Sequence, residues 1–208
     1  AMKTVPVGHG AIVLAILPLS TALFGVLLSH KTMPTAFWVW SVIGAVLVVS
    51  YIAMTKDLHG LGFGDGYLGL SVILAGFGYA QSGKLSQLMA GWQVICWMLV
   101  LNLPIILALS WVFVEPSHVL SMNHSHFGAL LFLAMVSGLL GFFSWNKALA
   151  MGGIAKISQL QLLQTFLTYS VAVLFMSEAW DWLSLIICLL VVLTVYQTQQ
   201  TARLANNT

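Results

Sequence analysis

Charge is what this chain has least of. Asp, Glu, Lys and Arg make up only 6% of its 208 residues, where a soluble domain carries roughly 25%. So little charge, beside 60% hydrophobic residues, excludes a water-solvated globule and leaves lipid as the solvent. The five acids, Asp57, Asp65, Glu115, Glu178 and Asp181, all fall in loops or at span ends on one side, away from the middle of any apolar run. No span therefore offers the paired carboxylates or His/Glu cluster that hydrolysis or phosphoryl transfer requires, and no enzyme is expected. A net charge of +2, dispersed along the chain, gives no footprint for nucleic acid. The two cysteines, Cys96 and Cys188, lie far apart inside apolar runs, the pattern of small buried thiols rather than a disulfide framework. A cleavable signal is not visible, because the first apolar run is long and lacks a small-residue cleavage site. Strict two-residue alternation is missing too, which excludes a transmembrane barrel.

What is present is a series of apolar runs, near residues 8–29, 35–54, 66–83, 90–113, 126–145, 154–176 and 180–200. Each has about the 17–25 residues that a spanning helix needs. The fold class expected is all-α integral membrane, with seven transmembrane helices. Pro34 in "SHKTMP" suits the first turn of the second helix. Lys31, Lys84, Lys147, Lys156 and Arg203 fall in one set of loops, and only Lys3 and Lys56 in the other. That bias puts the first set in the cytoplasm, so residue 1 is outside and Thr208 inside.

The stretch "QLQLLQTFLT", Gln159 to Thr168, carries amides and hydroxyls into a span, where an unsatisfied polar group costs several kcal/mol. At about 100° per residue, Ser158, Gln161, Gln164, Thr165, Thr168 and Ala172 share roughly a third of the circumference. Leucine, isoleucine, phenylalanine and valine fill the opposite side. Such a stripe suits a polar cavity, with helix–helix glue as the plainer alternative. Gln159 falls off the stripe, near Lys156, where headgroup water can reach it. Ala11, Pro18, Thr21 and Gly25 lie in the same phase when laid onto Ser158, Thr165, Thr168 and Ala172, the faint symmetry of an inverted repeat. Around a second mid-membrane proline, Pro104, the wheel groups Gln93 and Trp97, with Asn102 off that face; an amide and an aromatic there suit an organic solute. Trp38, Trp40, Trp111, Trp180 and Trp182 sit near span ends as interfacial anchors.

"GHGAIVLAILPLSTALFGVLLSHK" and "SWNKALAMGGIAKISQLQLLQTFLTYSVAVLFMSE" resemble the two copies of the EamA-type repeat of the drug/metabolite transporter superfamily. The resemblance covers nearly the entire chain and is diffuse. It implies ten helices in two inverted halves, of which helices four to ten correspond to this chain. Residues 1–56 would end the first repeat, 57–65 link the halves, 66–202 form the second repeat and 203–208 a cytoplasmic tail. The repeat's acidic position is matched by Glu178 but by Lys31 in the first copy, and its proline by Pro18 but by Thr165 in the second.

The resemblance implies transport of a small organic solute, such as a drug, an amino acid or another metabolite. Alternating access through a central cavity would carry it across a bacterial inner membrane. Gln161, Gln164, Thr165, Thr168, Pro18, Thr21, Gln93 and Trp97 are the expected substrate-binding residues. The partners are the solute and membrane lipid, without nucleic acid, and a homo-oligomer stays open. No cofactor and no metal are expected: His118, His124 and His126 beside Glu115 match no strong zinc spacing and suit a solvated loop. Because three family helices have no counterpart here, the chain is expected to be an incomplete copy, inactive by itself and unstable or oligomeric. A seven-helix receptor or sensor without transport is the alternative.

Overall fold

The computed structural model describes residues 7–55, 63–113, 123–175 and 182–205, and every regular element among them is helical. In chain order these are α1 (Val7–Ser29), α2 (Thr35–Thr55), α3 (Phe63–Leu85) and α4 (Gly91–Phe113). Next comes α5 (His124–Phe132), which runs through a π-wound stretch, Leu133–Gly141, into α6 (Phe142–Gly152). Then follow α7 (Ile154–Ser158), a 3-10 stretch (Gln159–Leu163), α8 (Gln164–Phe175) and α9 (Trp182–Ala205). Four segments are long and apolar enough to cross a membrane among the described residues: Thr35–Met54, Gly91–Phe113, His124–Gly152 and Trp182–Leu204.

The helix ends follow local chemistry. α1 stops where His30 takes a left-handed φ of 52°, a conformation that ends a helical ladder. Pro34 sits just before α2 rather than within it, and its carbonyl accepts the Phe37 N–H at 2.9 Å. At the start of α4 the Gln93 side chain reaches back to accept the Ala90 N–H at 3.0 Å, satisfying a donor that the helix itself leaves orphaned. The rod ending at Gly152 is broken from α7 by Gly153, whose φ of 87° favours a residue without Cβ.

The described chain divides into two compact units, Ala1–Gln81 with Gly152–Thr208, and Ser82–Met151. In the first, α1, α2, the 3-10 stretch, α8 and α9 share a core in which Ala15, Val48, Leu162, Phe166 and Val191 are buried. Leu162 and Phe166, apolar residues off the polar stripe, belong to this core. The wheel marks the apolar side but not the neighbour that covers it. A second cluster joins Ala22, Phe37, Ala155 and Ala202, where small side chains let the helices approach closely. Tyr51 and Ser184 share a hydrogen bond between α2 and α9 at 2.8 Å.

In the second unit, Val94 and Leu149 are buried, and a Cβ on Gly91 would stand 3.2 Å from the Asn146 Cβ. Most other α4 and α5 side chains are exposed, among them Val100, Leu101, Ile105, Leu130 and Phe132. Apolar surface on that scale demands hydrocarbon rather than water. Cys96 and Cys188 are both free thiols, each half-buried.

Candidate functional site

The polar stripe of the repeat helix can be followed turn by turn. Ile154, Ala155, Ser158, Gln159, Leu162 and Phe166 are buried, and at about 100° per residue they occupy one continuous arc. Leu160, Gln164, Leu167, Val171 and Leu174 are exposed and fall opposite. The change to 3-10 winding does not break this phase. The stripe runs along the margin between the arcs: Ser158 is wholly buried, Gln161 half-buried and Gln164 exposed. The Oε1 of Gln161 is buried without a hydrogen-bond partner. The side chains of Thr165, Thr168 and Ala172 lie outside the described residues, as do His118 and Glu115 and the side chain of every acid.

Gln159 is the residue that sequence reasoning misplaced. Expected in headgroup water, it is 1% exposed, and its Nε2 donates to the Pro18 carbonyl of α1 at 3.1 Å. It lies at the flank of the buried arc that faces α1, so burial and a carbonyl partner replace water. Its Oε1 is buried and unpartnered. Pro18 is fully buried, and Thr21, 0% exposed, donates its hydroxyl to the Leu17 carbonyl at 3.0 Å. Gly25 meets α7 so closely that a Cβ there would stand 2.6 Å from the Ile154 Cγ2. The partners of Pro18 and Gly25 are thus Gln159 and Ile154: as one chain ascends the other descends, an antiparallel crossing.

The small face of α1 and the 154–159 segment are therefore brought together. Gln93 and Trp97 belong to the other unit; there Gln93 caps α4 and Trp97 is exposed. Asn102 donates to the Met98 carbonyl of its own helix at 2.8 Å. Asn146, which the sequence did not single out, is 0% exposed with both amide heteroatoms unpartnered. Its flanking tryptophan and lysine gave no sign of that burial. A groove of about 670 Å³ lies between α1, α2 and α3, lined by Ile16, Phe24, Trp38, Val72 and Ile73, with Ser20 as its one hydroxyl. That hydroxyl points to the Val72 carbonyl at 3.4 Å, so the groove offers an incoming solute little but hydrocarbon.

Comparison with known proteins agrees with this helical architecture. The uncharacterized transporter YdeK of Bacillus subtilis (strain 168) is 34% identical over 203 residues, spanning 98% of this chain and 70% of YdeK. A solved crystal structure shares the fold with a TM-score of 0.75, over 97% of this chain and 70% of that one, at 18% identity. The model of the EamA-like transporter family matches residues 62–198. With that match and the similarity to YdeK, the chain belongs to the EamA-like transporter family of the drug/metabolite transporter superfamily.

Proposed function

We propose that the protein carries a small organic solute across a bacterial inner membrane by alternating access. Seven spans arranged as part of an inverted repeat form the path, with residue 1 outside and the C-terminus in the cytoplasm. The margin marked by Gln161, Gln164, Thr165 and Thr168, together with the Pro18–Thr21 face, forms its polar wall; Gln93 and Trp97 are solute contacts proposed within their own unit. The observation that carries this reading is the antiparallel crossing of α1 with the 154–163 segment. Equivalent helices of an inverted repeat cross the membrane in opposite directions, and Pro18 meets Gln159 in that sense. The unpartnered Gln161 Oε1 beside exposed surface adds an acceptor on which a donor-bearing solute gains more than water loses.

The test is uptake by the purified protein in proteoliposomes, with a panel of amino acids, nucleosides and cationic dyes. Saturable uptake of at least one solute supports the reading and overturns the expectation that the chain is inactive by itself; Gln161→Leu should then lower it about tenfold while membrane insertion is unchanged, the size of losing one buried hydrogen bond. Leu167→Ala, on the exposed arc, should leave uptake within about twofold on the same scale. Equal loss in both variants, or flux that never saturates, would return the stripe to a packing role.

A further inference from the structure

We infer that Gln159 is a positioning residue for the transport step, latching one end of the α1 crossing to the proline turn of α1. The inference rests on the alternating-access reading above.

The end of the crossing that carries Gly25, Ser29, Lys31 and Lys156 is sealed. Thr21 and Ser158 are both 0% exposed, and Gly25 lies flush against Ile154 and Ala155. Both hydroxyls are spent inside their own helices, Thr21 on Leu17 and Ser158 on the Ala155 carbonyl at 2.9 Å. Neither one ties the two helices together. Across this seam the amide of Gln159 holds the Pro18 carbonyl. A carbonyl can only accept, so the amide nitrogen must face Pro18 and the oxygen must face away; the orientation of this glutamine is fixed by chemistry. The oxygen then finds no donor, so the side chain grips with one arm.

The site gripped matters as much as the grip. Proline has no N–H to give the carbonyl four residues earlier, so the α1 ladder is short of one bond at this turn and bends there most easily. A single neutral hydrogen bond fastened to the softest turn of α1 holds the seam closed and still lets it part. Van der Waals contact between Gly25 and Ile154 gives close packing but no comparable directional tie. In alternating access this seam must open in one of the two states, and Gln159 sets how often it does.

The test uses the full chain with Cys96→Ala and Cys188→Ala, so that the native thiols give no background. Thr21→Cys and Ser158→Cys serve one at a time as reporters, challenged with a membrane-impermeant thiosulfonate from each face of oriented vesicles. With Gln159 intact both reporters should react slowly. Gln159→Met keeps the bulk and removes the donor; it should raise both labelling rates about tenfold, the equilibrium worth of one hydrogen bond, from the Lys31 face alone. Gln159→His, whose Nε2–H reaches a similar distance, should restore protection, which a loss of packing would not. Leu160→Met, on the exposed neighbour, should change neither rate.

Reporters as slow in Gln159→Met as in the parent would overturn the latch. So would a rise equal from both faces, because that is general loosening of the crossing. A rise confined to the face opposite Lys31 would overturn it too, because the end that Gln159 is inferred to hold is the one that carries Lys31. Absence of saturable uptake in the proteoliposome panel overturns the transport reading and leaves the labelling result to stand by itself.

Discussion

A hydroxyl or amide inside a bilayer has no water to fall back on, and the residues of this protein solve that problem in two ways. Thr21, Ser41, Ser158, Thr194 and Thr198 all return their hydroxyls to carbonyls three or four residues back on their own helix. Such bonds satisfy the donor without requiring a neighbour. Gln159 and Gln199 instead reach to another helix, to the carbonyls of Pro18 and Lys156. Only bonds of the second kind hold helices together, so polar content read from sequence overstates the glue. Close approach also depends on what is missing. Gly25→Ala would set its Cβ 2.6 Å from the Ile154 Cγ2 and 3.3 Å from the Ala155 nitrogen, an overlap that should cost about 1–3 kcal/mol. Gly69→Ala meets nothing within 4 Å and should be neutral or stabilise by about 1 kcal/mol through helix propensity. Thermal unfolding in detergent, followed by circular dichroism, measures both; a Gly25→Ala protein as stable as the parent would mean the crossing is looser than described.

At the scale of elements, the apolar runs locate the helices while the joints are set by backbone geometry. Gly153 carries the break between α6 and α7 with φ 87°. Gly153→Ala should destabilise by about 1–2 kcal/mol, the cost of forcing an L-residue into that region, again read as a lower unfolding midpoint. The rod begun at His124 runs to Gly152 through the π-wound Leu133–Gly141, past the expected end near residue 145. Its last turns are only mildly apolar, with Asn146 and Lys147 among them, so hydropathy fades before the backbone hydrogen bonds do. The polar stripe was legible as a stripe because a 3.6-residue period survives the 3-10 stretch. Its function as a margin, with one end buried and the other open, was not legible, since a wheel gives relative angles but no neighbours. For the same reason Gln159 looked wet.

For the whole molecule the governing fact is the apolar surface. Side chains such as Trp97, Leu101, Ile105, Leu107 and Phe132 are exposed on α4 and α5, and hydrocarbon is the solvent in which that exposure costs little. Orientation is testable at this scale because the basic residues are divided five to two between the two sets of loops. In the protein lacking its native cysteines, Asn123→Cys should label from outside and Lys31→Cys from the cytoplasm, and a reporter fused after Thr208 should be active in the cytoplasm. Labelling of Asn123→Cys only from the cytoplasmic face would invert the topology and show that the charge bias does not orient these helices.

Solvent class, helical content and the family resemblance were determined by the sequence itself, because each depends on composition or on a period along one chain. A scarcity of charge settles that lipid surrounds the protein, and a run of apolar residues in lipid has to close its own hydrogen bonds as a helix. Which glutamine packs against α1 and which lies at the margin was decided only by tertiary structure. Gln159 and Gln161 are two residues apart and chemically identical, yet one donates to the Pro18 carbonyl and the other lies at the edge of the packed face. That difference comes from α1, distant in sequence, whose small face and proline carbonyl give the Gln159 nitrogen a partner, while the oxygens of both amides are left without one.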